Sequence, residues 1–216
     1  MLTKTGIEYL THSWNFYPGC KNFEEGYCPV GEKCWARSMK KRFGGGDFTP
    51  HLIPEKLLDP LRGKQGGRRI GVNFTGDTCG SWVDPEKEIG KDISVSNLAL
   101  RETVTARKDV PLKRVVFNVC NHCLQDTFLF LTKCPDRLKL WEPFPDNAWV
   151  GVSVCDWLMF SNALGYLLGT EAKVKYLSLD PLKENIQLDM LQGILFSRII
   201  SWVVIGGWDK GINEIS

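Results

Sequence analysis

The sequence predicts an α/β protein, a partial (β/α)6 barrel of parallel strands with outer helices. Three observations carry this expectation. Six short runs rich in apolar residues recur along the 216 residues without clean polar–apolar alternation, the pattern of strands buried on both faces of a parallel sheet. The segments between them suit crossover helices, and strands alternating with helices imply right-handed βαβ units. No linker, repeat or low-complexity tract interrupts the chain, so residues 1–216 read as a single domain with one substantial core.

Taken in order, the first strand falls around Ser13–Tyr17 and runs into a Gly- and Pro-containing loop, about residues 18–36, that carries Cys20, Cys28 and Cys34. Cys34–Phe43 is the first helical segment, and Gly44-Gly45-Gly46 and Gly66-Gly67 punctuate the loop after it. The second strand is Ile70–Gly76. Pro85–Lys108 and Leu112–Cys123 are read as helices, and the third strand follows at Phe128–Lys133. Trp149–Val154 is the fourth strand, with a helix over Asp156–Leu168. Val174–Leu179 is the fifth, with a helix over Leu188–Arg198, and Ser201–Gly207 is the sixth.

In a parallel barrel the functional residues gather at the carboxyl ends of the strands. Those ends carry Thr75-Gly76-Asp77, Thr132-Lys133, Ser153, Ser178 with Asp180, and Gly206-Gly207. The cysteine loop follows the first strand, so it would open at the same face.

Composition narrows the classes. At 43% hydrophobic and 24% charged the chain is an ordinary globular protein, and a formal net charge of +2 is too small to argue for nucleic acid by itself. The basic clusters Lys40-Lys41-Arg42 and Lys64–Arg69 read as solvated surface. No apolar leader follows Met1 and no run of 18 apolar residues occurs, so a cytoplasmic protein with no membrane partner is expected.

Eight cysteines in a reducing compartment point to metal binding or burial rather than disulfides. Three thiolates on one loop leave a bound metal centre with an open position, which is what separates a reactive metal site from a structural one, and an iron–sulfur cluster is the first reading. The alternatives are a structural zinc site, with His12 or another cysteine as fourth ligand, and no metal at all. Structural zinc usually takes four protein ligands at closer spacings than these. Cys120-Asn121-His122-Cys123 is a C-x-x-C that reads either as a redox or auxiliary-cluster pair or as two buried thiols in an apolar helix. Cys79 and Cys134 follow strand ends and either approach the mouth or pack. Asp77 has the ordinary alternative of a turn residue and Lys133 that of a strand terminator, while Trp35 and Trp82 would flank the site.

Trp14-Asn15 ahead of Pro18-Gly19-Cys20, then Cys34-Trp35-Ala36-Arg37 with Met39–Phe43, resemble a family of phage-associated and bacterial radical-SAM-like proteins, distantly similar to spore photoproduct lyase. The likeness continues through Val72–Asp77, Leu131–Arg137, Trp149–Val154, Ser178–Leu182 and Trp202–Gly207. Two departures stand out. The family usually spaces its last two cysteines as C-x-x-C, whereas five residues separate Cys28 from Cys34. Its chains also run some tens of residues beyond the Gly-Gly strand, so the stop at Ser216 suggests a shortened barrel or a truncated product.

The resemblance implies a radical-SAM barrel and an enzyme. Cys20, Cys28 and Cys34 would ligate a [4Fe–4S] cluster whose fourth iron is left to S-adenosyl-L-methionine, for generation of a 5′-deoxyadenosyl radical with an external electron donor. It assigns Thr75-Gly76-Asp77 to the methionine ammonium, Ser153 and Lys133 to the ribose and carboxylate, and Gly206-Gly207 to the adenine edge. Asp180 stands where a glutamate is common. Nucleic acid or a modified nucleotide is the substrate class it suggests. The competing expectation is a zinc-stabilised, non-enzymatic barrel that binds nucleic acid or a partner protein.

Overall fold

A computed structural model describes residues 1–42, 47–97, 102–183, 193 and 199–206. Its centre is a mostly parallel seven-stranded sheet. The strands are β1 (Thr3–Lys4), β2 (His12–Trp14), β3 (Arg69–Val72), β6 (Thr127–Thr132), β7 (Ala148–Val154), β8 (Val174–Leu179) and β9 (Trp202–Ile205), adjacent in that order. Only β1 is antiparallel to its neighbour; the six from β2 to β9 are parallel and follow one another in chain order. Among the described residues, α1 (Trp35–Arg42), α2 (Leu112–His122) and α3 (Trp157–Leu168) lie between strands. The architecture is therefore the expected α/β class.

Burial explains why the strands lack alternation. One face presents Ile70, Val72, Phe128, Phe130, Val150, Val152, Leu177 and Leu179 to a core shared with Val115, Val116 and Val119 of α2 and Phe160, Ala163 and Leu167 of α3. The opposite face carries a second cluster in which Leu129 and Tyr176 are buried among Tyr9, Phe74, Trp149 and Trp202. Side chains of odd and even parity are thus both apolar, as a sheet covered on both sides requires.

At the amino edge of the sheet, Asp126 is fully buried beside Arg68. Its carboxylate accepts the Arg68 backbone N–H at 3.0 Å and two guanidinium N–H groups, while the guanidinium also donates to the Pro60 carbonyl. These bonds tie the starts of β3 and β6 together, so both strands point their carboxyl ends the same way. At the other edge Asp156 caps α3, accepting the Met159 N–H at 2.8 Å.

One expected element is different. Pro85–Lys108 is not a helix but contains an antiparallel hairpin, β4 (Ile93–Asn97) and β5 (Glu102–Ala106). The reason is in the residues: Ile93-Ser94-Val95-Ser96 and Thr103-Val104-Thr105-Ala106 alternate with period two, Gly90 has a positive φ of 75°, and Ile93 and Val95 are buried while Ser94 and Ser96 face outward. The helix expected over Leu188–Arg198 lies outside the described residues but for Gly193, as do Phe43 and Gly44-Gly45-Gly46. Among the described residues no helix is long and apolar enough to cross a membrane.

Candidate functional site

The strand register builds a polar layer above the aromatic one. Leu131 of β6 pairs with Gly151 of β7, and Gly151 with Tyr176 of β8, which pairs with Trp202 of β9. Two residues further along, the same face presents Lys133, Ser153 and Ser178. Beyond them come Cys155, Asp180 and Gly206. Aromatic rings thus floor this face, and a cation, hydroxyls and a carboxylate stand at its carboxyl edge.

These groups touch. The Lys133 ammonium donates to Ser153 Oγ and stands 3.9 Å from Cys155 Sγ, and Ser153 Oγ donates to the Asp180 carbonyl at 3.3 Å. Gly206 N–H bonds the Leu179 carbonyl at 3.0 Å, and a Cβ on Gly206 would stand 2.6 Å from Asp180 Oδ1. Only a residue without a side chain leaves the Asp180 carboxylate where it is. Burial pushes the Asp180 carboxyl up and the Lys133 charge draws it back. Lys133, Ser153, Asp180 and Gly206, expected at the strand ends, are brought together; Gly207 lies outside the described residues.

The cysteine loop joins this edge through backbone contacts. Gly19 and Gly76 form a parallel bridge, with Gly19 N–H on the Thr75 carbonyl at 3.1 Å. A Cβ on Gly76 would lie 2.4 Å from the Tyr17 carbonyl oxygen, so the loop can approach the end of β3 this closely only at glycine. Thr75, whose N–H is held by Asn15 Oδ1, lines an open cleft of about 310 Å³ between α1 and residues 47–51.

Asp77 does not face the mouth. It is 2% exposed, and its carboxylate accepts N–H groups from Cys79 at 2.9 Å, Asn22 Nδ2 at 2.7 Å and the Lys133 backbone at 2.9 Å. Burial pushes its carboxyl up, and the donors from Lys133, Asn22, Thr132 and Cys79 pull it back. The turn that aims it inward begins at Asn73, whose φ of 52° is left-handed and whose amide binds the Tyr17 N–H and the Thr78 hydroxyl.

Cys20, Cys28 and Cys34 are partly exposed and reduced. Burial pushes the Cys20 thiol up to about 12, the Asn22 N–H lowers it, and neighbouring Asp77, Cys28 and Cys34 raise it further. Among the described residues no three His, Cys, Asp or Glu side chains converge as ligands of one ion. That arrangement is what single-ion binding needs; thiolates that hold three different irons of a cubane stand farther apart. The donor set, three soft thiolates on one loop, suits iron–sulfur chemistry.

His12 is removed from the loop. It sits at the start of β2, bonded to Thr11 Oγ1, where burial, Arg68 and Lys4 lower its pKa at the amino edge of the sheet. It is thus not the fourth ligand of a site built on the cysteine loop. Cys120 and Cys123 are buried in and after α2, burial pushes both thiols up, Cys123 to about 12, and the Cys123 thiol lies 3.8 Å from the Pro60 carbonyl. This is packing. Trp35 is half exposed on α1, and Trp82 packs beneath Tyr17, whose hydroxyl donates to its carbonyl.

One residue that sequence reading passed over proves central. Asn22, buried at 3%, bonds Asp77 and also accepts the Cys134 thiol at 3.0 Å. Its only sequence signal is its place two residues after Cys20. No curated protein and no solved structure matches the chain. Over residues 4–213, however, it matches the model of a family described as a protein of unknown function (DUF5131), and the chain belongs to that family.

Proposed function

We propose that this protein is a radical S-adenosylmethionine enzyme whose parallel sheet is a partial (β/α)6 barrel of the radical-SAM type. One observation carries the reading. The three-thiol loop leaves the first parallel strand at the same edge where Lys133, Ser153, Asp180 and Gly206 meet at the ends of four successive strands. The sequence resemblance runs over the same residues in the same order.

In this reading Cys20, Cys28 and Cys34 hold a [4Fe–4S] cluster, which with bound S-adenosyl-L-methionine supplies a 5′-deoxyadenosyl radical. The chain's own residues do the positioning. Lys133, oriented by Ser153, offers a cation to the ligand's carboxylate. Ser153 and Asp180 offer polar partners to the ribose, and Gly206, which lets the Asp180 carboxylate stand against the end of β9, is assigned to the adenine edge by the resemblance alone. Asp77 acts as an anchor of the loop, since its carboxylate is already filled by three N–H donors. The ammonium is left to Thr75 and the adjoining backbone. The substrate class we propose is nucleic acid or a modified nucleotide, with an external donor supplying the electron; both rest on the likeness to spore photoproduct lyase.

The test is anaerobic reconstitution with iron and sulfide. The protein should turn brown, with thiolate-to-iron charge-transfer absorbance in the visible, and Cys20→Ala, Cys28→Ala and Cys34→Ala should each remove the colour. A colourless protein that takes up stoichiometric zinc instead would favour a zinc-stabilised, non-enzymatic binding protein.

A further inference from the structure

We propose that Asn22 is a positioning residue, a clamp that fixes the Cys20–Cys28 arm of the thiol loop against the ends of β3 and β6. Every polar group of this residue is used. Its N–H donates to Cys20 Sγ at 3.4 Å, and its carbonyl accepts the Tyr27 N–H at 2.8 Å and the Cys28 N–H at 2.9 Å. Its side chain donates to Asp77 Oδ2 at 2.7 Å and accepts the Cys134 thiol at 3.0 Å. The backbone contacts bend the loop so that Cys20 and Cys28 start and finish one turn. The side-chain contacts pin that turn to two strand ends.

The chemistry requires an amide. Two backbone N–H groups already converge on the Asp77 carboxylate, so it is the NH2 end of Asn22 that faces it as a third donor, and the carbonyl end is then presented to the Cys134 S–H. Aspartate at position 22 would set two carboxylates face to face in a buried site. Alanine would leave Asp77 and Cys134 each short of a partner, and the turn without its pins. Asn22 lies at the bottom of the loop, 3% exposed, so solvent does not replace what it loses.

The consequence for a bound cluster rests on the function proposed above: if the loop holds one, Asn22 sets the separation and direction of two of its ligands. Two measurements separate the clamp from that reading. The first uses metal-free protein and amide hydrogen exchange. In Asn22→Ala the amides of residues 20–28 should exchange roughly 10- to 100-fold faster than in the wild type, the factor expected for losing a charge-assisted bond. The amides of β6 to β8 should keep their rates. Cys134→Ala removes only the thiol contact and serves if Asn22→Ala does not fold; it should accelerate the same amides about fivefold. Unchanged loop exchange in the variant that folds overturns the clamp.

The second measurement uses protein reconstituted without oxygen. Asn22→Ala, or Cys134→Ala in its place, should bind iron with an altered EPR spectrum and a shifted reduction potential, readouts that a purely structural change elsewhere would leave alone. An identical spectrum and potential overturn the claim that Asn22 positions the cluster ligands. If wild-type protein takes up no iron, the enzyme reading fails, while the exchange measurement still decides the clamp.

Discussion

Replacing Asp77 is the perturbation whose cost the structure specifies best. Asp77→Ala leaves three N–H donors, from Cys79, Asn22 and Lys133, without an acceptor in a site that is 2% exposed. A buried donor without a partner costs about 1–3 kcal/mol. With some relaxation the sum is about 3–5 kcal/mol, which for a chain of this size lowers Tm by roughly 6–20 °C. Asp77→Asn keeps the shape and two of the bonds, because its oxygen can stay where Asn22 and Lys133 donate. Its NH2 then opposes the Cys79 N–H, at a cost of about 1–3 kcal/mol. Urea denaturation with a fixed m-value gives both numbers. The order Asn above Ala, separated by at least about 1 kcal/mol, is expected. An alanine variant within about 0.5 kcal/mol of the wild type would refute the claim that Asp77 is a filled, buried anchor.

Asp126→Ala strands the buried Arg68 guanidinium and should cost about 3–5 kcal/mol in the same assay, more than any exposed ion pair such as Arg107–Asp109. Gly76→Ala places a Cβ against the Tyr17 carbonyl at 2.4 Å, and because that contact is backbone it should cost about 1–3 kcal/mol and speed hydrogen exchange at Gly19, whose bond to Thr75 it disturbs. Burial pushes the Cys123 thiol up to about 12, so thiolate is scarce at neutral pH. Mass-resolved alkylation of native protein at that position should rise tenfold per pH unit as far as the protein stays folded, and fast labelling at pH 7 would contradict the buried, unreactive reading of the C-x-x-C pair.

The parallel sheet was legible because its signal is local. Val174–Leu179 is a strand over the expected residues, Trp149–Val154 starts one residue earlier, and Phe128–Lys133 moves by one residue at both ends. Residues 85–108 misled because their length suits a crossover helix, while the period-two spacing of Ile93, Val95, Val104 and Ala106 describes a hairpin. The polar layer of Lys133, Ser153 and Asp180 was visible for the same reason as the strands: Lys133 closes its apolar run, Ser153 stands one residue before the end of its run, and Asp180 directly follows the next. The inward turn of Asp77 was not, since it depends on the left-handed Asn73 and on partners far along the chain. Asn22 lies 55 residues from Asp77 and 112 from Cys134, and no local pattern marks an asparagine for such contacts.

The central claim is that the loop of Cys20, Cys28 and Cys34 and the strand ends facing it form a radical-generating site. Anaerobically reconstituted protein, supplied with S-adenosyl-L-methionine and dithionite and analysed by liquid chromatography with mass detection, tests it directly. Formation of 5′-deoxyadenosine that vanishes in Cys20→Ala, Cys28→Ala and Cys34→Ala is the predicted result. No 5′-deoxyadenosine from protein that holds a full complement of iron and sulfide would contradict it.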